Sequence, residues 1–171
     1  MHFLNTTSSE IKFPMWAKFM PYVISIVIAL GVGSLAACLV RGNIRLYAVL
    51  NKPPLAPPAL LFPIVWTVLY ILMGIGSARI YLQRSAYPYE VLDALLSYAL
   101  QLILNFFWPI IFFNMLTFLF AFIWLVVLWC AIIKMIFKFS RLDTAAAYLQ
   151  IPYLLWVTFA GYLNFMIYLM N

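Results

Sequence analysis

The segment that decides the fold is residues 94–133, ALLSYALQLILNFFWPIIFFNMLTFLFAFIWLVVLWCAII, which contains no charged side chain. About 20 apolar residues in a helix cross the ~30 Å hydrocarbon core of a bilayer. The segment is therefore long enough for two transmembrane helices joined by a tight turn, and Asn114 is the best candidate for that turn. We place these two spans at about 93–113 and 115–137.

Three further apolar segments flank this pair of spans. We place them at about 19–40, 59–80 and 144–169, from their length and lack of central charge. Residues 1–18 are polar and form an N-terminal tail, and residues 19–171 form one transmembrane domain. The sequence therefore predicts an all-α membrane protein, a bundle of five transmembrane helices.

The composition also favours a lipid-facing exterior. The chain of 171 residues is 68% hydrophobic and 8% charged, whereas a soluble domain carries about 25% charged residues. Its net charge of +6 comes from basic residues that sit between the apolar segments. Such residues anchor loops at a bilayer surface, and no basic helix or aromatic-basic module is present. We therefore expect a lipid bilayer as partner and no nucleic acid.

The basic residues also indicate an orientation. Seven lie on the side of the membrane where the N-terminus is predicted: Lys12, Lys18, Arg79, Arg84, Lys134, Lys138 and Arg141. Three lie on the other side: Arg41, Arg45 and Lys52. Cytoplasmic loops are enriched in Lys and Arg, so we expect a cytoplasmic N-terminus. A bacterial membrane and a mitochondrial outer membrane both fit this pattern.

The sequence lacks the residues of common catalytic and metal sites. His2 is the only histidine, and Cys38 and Cys130 lie in separate apolar segments. This argues against a His-based triad or a His/Cys metal site, so we expect no metal and no resident cofactor. The predicted spans carry no charge near their centres, which argues against a proton-driven or ion-coupled carrier.

Three predicted helices each carry a tryptophan in a stripe at helical spacing. The stripes are Trp66, Tyr70 and Met73; Asn105, Trp108 and Phe112; and Pro152, Trp156, Ala160 and Leu163. If they converge, they form a flat-walled slot suited to a planar apolar ligand. The residues alone favour ordinary packing over a pocket. Asn105 fits either a bond between helices or a contact with a ligand.

Prolines stiffen the first loop and interrupt two spans. The connection at 41–58 carries Lys52-Pro53-Pro54 and Pro57-Pro58, and its composition fits a lid or a plain connector equally. Pro109 and Pro152 each remove a backbone hydrogen bond within a span. We expect kinks at these two positions to open space that a ligand could fill.

Three segments carry a more specific pattern, in this order: Leu46-Tyr47-Ala48, Lys52-Pro53-Pro54, Val65-Trp66, Leu69-Tyr70 and Met73-Gly74; Leu104-Asn105-Phe106-Phe107-Trp108-Pro109; and Ile151-Pro152-Tyr153-Leu154-Leu155-Trp156 followed by Leu163-Asn164. Their order and spacing resemble the translocator protein family, also called tryptophan-rich sensory proteins or peripheral-type benzodiazepine receptors. The resemblance covers positions 46–164, most of the chain.

This resemblance implies a five-helix bundle, often a homodimer, with a pocket under the first loop. Members bind porphyrin or haem, sterol-like lipids or synthetic benzodiazepines, and the implied function is sensing, transport or regulation of such ligands. The ligand-binding residues that it carries over are Tyr47, Trp66, Tyr70, Asn105, Trp108, Trp156, Ala160 and Leu163. The alternative is a light-dependent porphyrin-degrading enzyme, in which Trp66 and Trp156 are oxidisable donors.

The chain departs from the family pattern at several positions. Leu46, Leu55 and Leu60 stand where members often carry tryptophan, and Gly161 stands where threonine is common. The cholesterol motif of the animal proteins needs a basic residue after a tyrosine near the C-terminus. Tyr168 is followed by no basic residue, so we do not expect cholesterol to bind through that motif.

Overall fold

A computed structural model describes residues 15–43 and 49–171 of the chain. Within these ranges the regular structure is helical, and five helices are long and apolar enough to cross a membrane. The predicted all-α membrane fold with five spans is therefore confirmed. Tyr47 of the predicted site and most of the predicted tail lie outside the described residues.

The helices follow one another with short connections. In chain order they are α1 (Met15–Val40), α2 (Leu61–Leu82), α3 (Pro88–Pro109), α4 (Phe118–Leu142), α5 (Thr144–Tyr148) and α6 (Ile151–Met170). A 3₁₀ turn, Gln83–Ser85, extends α2, and a π-helical turn, Ile110–Asn114, extends α3. The short α5 and the long α6 together form the last span, Thr144–Met170.

The third span begins at Pro88, five residues before the predicted start, because proline suits the first turn of a helix. The same reason applies to Pro152, which lies in the first turn of α6 after a break at residues 149–150. Its missing N–H therefore needs no partner there. We expected a kink inside a continuous helix, and the structure instead divides the span into α5 and α6.

The reversal between α3 and α4 follows Asn114 rather than centring on it. Pro109 cannot donate to the helix ladder, and the helix widens into the π-turn directly after it. The chain then reverses at residues 115–117, where Leu116 has a positive φ of 54°. The Asn114 side chain donates to the Leu39 carbonyl at 3.2 Å and accepts from Asn43 at 2.9 Å. Asn114 thus joins the turn to the end of α1.

The helices pack closely through small residues. A Cβ atom added at Gly74 on α2 would lie 2.6 Å from the Cα of Ile26 on α1, and one at Gly33 would overlap the Tyr70 ring. α4 packs on both α3 and α6. Large apolar side chains such as Val27 and Ile123 remain exposed on the outside of the bundle. Lipid, rather than water, is the solvent that suits this surface, so the protein is an integral membrane protein.

Candidate functional site

One face of α3 carries polar side chains at successive turns, and each bonds to another helix. Gln101 is fully buried, and its Oε1 accepts from the Tyr153 hydroxyl of α6 at 2.8 Å. One turn further along, the Asn105 amide donates to the Tyr70 hydroxyl of α2 at 3.3 Å. Amides and hydroxyls in hydrocarbon need such partners. These polar side chains of α3 therefore hold α2 and α6 in position against α3.

The next residue on this face, Trp108, continues the same pattern. Its indole Nε1 donates to the side-chain oxygen Oδ1 of Asn164 on α6 at 3.2 Å, and the Asn164 side-chain amide donates to the backbone carbonyl of Phe118 on α4 at 2.8 Å. The Phe112 ring lies 5.6 Å from the Trp108 ring. Asn164 thus joins three helices near the end of the bundle where α3 ends.

Aromatic rings from α2 and α6 meet beside this polar stripe. The half-buried Trp66 ring lies 5.6 Å from the Tyr70 ring and 6.1 Å from the Tyr153 ring. The ring of Trp156, also half-buried, lies 5.9 Å from that of Phe62. The tryptophan-bearing rows of α2 and α6 therefore face each other. We call these five rings and Asn105 the aromatic cluster.

The structure brings several of the predicted site residues together and separates others. Trp66, Tyr70 and Asn105 form one connected group, and Trp108 lies one turn from Asn105 on the same face of α3. Trp156 joins the group through Phe62 rather than through a direct contact with Trp66. Ala160 and Leu163 are buried on α6, one and two turns beyond Trp156.

Three residues of this region were missed by the sequence prediction. Gln101, Tyr153 and Asn164 are all buried and all hydrogen-bonded between helices. Gln101 lies four residues before Asn105, so the spacing that marked Asn105 and Trp108 also pointed to it. Tyr153 and Asn164 stood inside the segments that carried the family resemblance. A search for polar groups at helical spacing would have found all three.

Trp156 carries an indole N–H that is buried and has no acceptor among the described residues. Two other indoles have acceptors: Trp124 donates to the Leu104 carbonyl at 2.7 Å, and Trp129 donates to the Thr158 hydroxyl at 2.9 Å. A buried donor without an acceptor costs about 1–3 kcal/mol. The cluster therefore holds one polar group that a bound molecule could satisfy.

The described part of the first loop is fastened to the end of α6. The Asn51 N–H donates to the Asn171 side-chain oxygen at 3.0 Å, and the Asn51 amide donates to the Met170 carbonyl at 3.2 Å. The Asn171 amide donates back to the Asn51 carbonyl at 3.0 Å. The loop therefore lies at the end of the bundle from which α2 starts and where Trp66 sits, which is the position a lid needs.

A cavity of about 640 Å³ lies in a different part of the bundle. It is formed by the first half of α1, the end of α2 with the turn that follows it, and the middle of α3. Neither Trp66 nor Trp156 lines it. We expected kinks at Pro109 and Pro152 to open space for a ligand, but neither proline lines this cavity.

These observations define a class: an integral membrane protein of five spans, with polar bonds between its helices and an aromatic cluster at their centre. Residues 23–169 match the TspO/MBR family. The chain is 41% identical to the "Tryptophan-rich protein TspO" of Chlorobaculum tepidum over 125 residues, which cover 73% of this chain and 78% of that protein. It is 35% identical to the "Tryptophan-rich sensory protein" of Cereibacter sphaeroides over 151 residues, which cover 88% of this chain and 89% of that protein. It is 36% identical to the "Translocator protein" of Bos taurus over 134 residues, 78% and 79% of the two chains. The chain belongs to the TspO/MBR family, which confirms the resemblance seen in its sequence.

Proposed function

We propose that the protein binds a flat, apolar ligand of the tetrapyrrole or sterol-like type in the aromatic cluster, and acts in the sensing, transport or regulation of that ligand. The proposal is supported by family membership and by the names of two relatives, which refer to sensing and to translocation. Ring faces from two helices suit the faces of a planar molecule. The fastened loop would cover the slot from the end of the bundle.

The observation that carries the proposal is the buried indole N–H of Trp156, which has no acceptor within residues 15–43 and 49–171. A porphyrin carboxylate or a sterol oxygen is an acceptor, and a hydrogen bond from this N–H would remove the cost of leaving it unpaired. Trp66 and Trp156 are both half-buried. Their rings can therefore turn outward and part the two rows, because neither ring is enclosed on all sides. Tyr47, Trp108, Ala160 and Leu163 complete the proposed binding set.

Titration of the purified protein with protoporphyrin IX, followed by the Soret absorbance, tests the proposal. We expect Trp66→Phe combined with Trp156→Phe to raise the Kd at least about ten-fold, from lost ring contact and one lost hydrogen bond. Trp129→Phe is the matched control, because its indole bonds to Thr158 on the outer face. A double variant that binds as tightly as the control would contradict the proposal.

A second candidate function is light-dependent porphyrin degradation, favoured by the two indoles in one cluster. Light and dioxygen would be the co-reactants, and Trp66 and Trp156 the electron donors beside the excited pigment. Illumination under air and under argon, at equal amounts of bound pigment, distinguishes this from binding alone. Degradation predicts oxygen-dependent loss of the Soret band that is slower in the double tryptophan variant. Equal loss in both proteins would leave binding as the function.

Orientation and assembly form a further part of the proposal. We propose a cytoplasmic N-terminus, because Arg79, Arg84 and Lys138 all lie at the end of the bundle where α1 begins. We also propose a homodimer in the bilayer, as the family resemblance implies. Labelling of cysteines placed at residues 43 and 86 with an impermeant reagent tests the orientation, since only the residue 43 site should react from outside. Single-molecule photobleaching in nanodiscs tests the dimer.

A further inference from the structure

Two buried tyrosine rings from different helices lie against the Trp66 ring. The Tyr70 ring, one turn further along α2, lies 5.6 Å from it, and the Tyr153 ring of α6 lies 6.1 Å from it at an angle of 64°. Tyr70 is only 7% exposed and Tyr153 is fully buried, whereas Trp66 is half-buried. The two tyrosines therefore form an inner wall of the aromatic cluster, and Trp66 lies on the more exposed side of that wall.

Both tyrosine hydroxyls are hydrogen-bonded to side-chain amides of α3. The Tyr153 hydroxyl donates to Gln101 Oε1 at 2.8 Å, and the Tyr70 hydroxyl accepts from Asn105 Nδ2 at 3.3 Å. Gln101 and Asn105 are four residues apart, so they lie one turn apart on the same face of α3. This face of α3 therefore holds both rings of the inner wall by their hydroxyl ends.

The neighbours of Gln101 select one orientation of its amide. The side chain is fully buried, its Nε2 lies 3.8 Å from the Met73 sulfur of α2, and its Oε1 accepts from Tyr153 of α6. A thioether sulfur accepts weakly and cannot donate, so it suits the NH₂ end of the amide and leaves the oxygen for the hydroxyl. Gln101 therefore contacts both helices of the aromatic cluster and directs its acceptor at Tyr153.

A ligand that enters between Trp66 and Tyr153 removes part of the packing around the Tyr153 ring. Trp66 is one of the residues that enclose this ring. A side chain that loses close packing regains rotamer freedom, and a ligand that needs it in one place must order it again. The hydroxyl bond to Gln101 runs from α6 to α3 and does not involve Trp66. It therefore still holds the ring after Trp66 has moved aside.

We propose that Gln101 is a positioning residue of the ligand slot, acting through Tyr153, whose ring is a further contact of the ligand. The inference rests on the proposed function, since it requires a planar ligand in the aromatic cluster. Trp66 is the wall that moves, and Tyr153 is the wall that stays. Because Gln101 engages the Tyr153 hydroxyl, this tyrosine offers the ligand an apolar ring face rather than a polar group.

A bond that only stabilises the bundle would behave differently from a bond that positions a ring. Replacing both partners of a buried hydrogen bond with apolar groups of similar shape is nearly neutral for stability. Gln101→Leu combined with Tyr153→Phe keeps the ring and leaves neither partner unpaired, so its Tm should lie within about 2 °C of wild type. The Phe ring is no longer held by α3. A purely structural role predicts that ligand affinity recovers with Tm, whereas a positioning role predicts that it does not.

Titration with protoporphyrin IX in nanodiscs, followed by the Soret absorbance, tests this difference. We expect the Gln101→Leu, Tyr153→Phe variant to raise the Kd about five-fold at nearly unchanged Tm, because the ligand must order one more side chain. Thr158→Val is the matched control, since it removes another bond between helices, the one from the Trp129 indole on the outer face. A Kd within two-fold of the control would overturn the proposal.

This proposal and the proposed function fail in different ways. If Trp66→Phe combined with Trp156→Phe leaves porphyrin binding unchanged, then the slot itself is refuted. If that variant weakens binding while the Gln101→Leu, Tyr153→Phe variant binds as the control does, then only the positioning role is refuted.

The contact between Tyr153 and the ligand has its own spectroscopic test. In protein that carries 3-fluorotyrosine, the ¹⁹F signal of Tyr153 is assigned by its loss in Tyr153→Phe. Saturation with protoporphyrin IX should shift this signal upfield, because the ring current of a porphyrin acts on atoms that lie over its face. The signal of Tyr98, whose ring packs on Phe139 outside the aromatic cluster, should stay in place. A Tyr153 signal that does not move at saturation would overturn the proposal.

Discussion

The contact between α1 and α2 depends on Gly74, and Gly74→Ala tests it directly. The added Cβ would lie 2.6 Å from the Cα of Ile26 and 2.8 Å from its backbone N. Ordinary van der Waals contact begins near 3.5 Å, so the two helices must separate by almost 1 Å. The atoms in the way belong to the Ile26 backbone, so no side-chain rotation can relieve the overlap.

The expected loss is about 2 kcal/mol, within the range measured when an extra methyl group is forced into a packed core. For a chain of this length, 1 kcal/mol shifts Tm by about 2–4 °C, so we expect Tm to fall by about 4–8 °C. Thermal unfolding in a mild detergent, followed by intrinsic fluorescence, measures this. The favourable helix propensity of alanine offsets less than about 1 kcal/mol of the loss.

The chain supplies its own control. A Cβ at Gly31 on α1 meets no atom within 4 Å, so Gly31→Ala gains the same helix propensity without the overlap and should hold or raise Tm. The difference between the two variants isolates the close approach of the helices. If Gly74→Ala and Gly31→Ala unfold within about 1 °C of each other, then the separation of α1 and α2 in the structure is wrong.

Three further variants test bonds that hold other parts of the bundle. Gln101→Leu removes the acceptor of the Tyr153 hydroxyl and should cost about 1 kcal/mol, whereas adding Tyr153→Phe should recover part of the lost Tm. Asp143→Ala removes both the α5 N-cap and the partner of Arg79 and should cost about 1–2 kcal/mol in a Tm assay, whereas Asp143→Asn should lose less because asparagine also caps. Asn171→Ala should make the first loop more sensitive to limited proteolysis without changing Tm by more than about 2 °C, since it removes the two hydrogen bonds between its side chain and the Asn51 backbone; unchanged cleavage would contradict that role.

The number and type of the helices could be predicted from sequence because lipid imposes a simple rule. A span needs about 20 residues without charge. The uncharged segment at 94–133 has 40 residues, so it must form two spans. The effect of each proline on its helix was harder to predict. Pro152 was expected to kink a helix, but it begins one, because a preceding break at residues 149–150 made its missing N–H harmless.

The partners of each polar side chain could not be predicted in the same way. Periodicity assigns Asn105 to a face of α3, but the rotation of α2 decides that this face meets Tyr70. Gln101 shows the same limit: its spacing from Asn105 was visible, whereas the contact with Tyr153 depends on how α6 lies against α3. The position of the cavity is a further case, since residues of α1, α2 and α3 line it together and the sequence of one helix alone does not indicate it.

The hydrogen bonds also connect the proposed ligand slot to the rest of the bundle. Tyr153 contacts Trp66 through its ring and Gln101 through its hydroxyl, so one residue takes part in both the aromatic cluster and the polar stripe of α3. A ligand that parts Trp66 from Tyr153 would leave the hydroxyl bond in place, because that bond lies on the α3 side. The bundle can therefore open its aromatic rows while α3 and α6 stay joined through Gln101 and Asn164. This predicts that ligand binding protects α2 backbone amides from hydrogen exchange more than those of α3, and equal protection of both would argue against opening at α2.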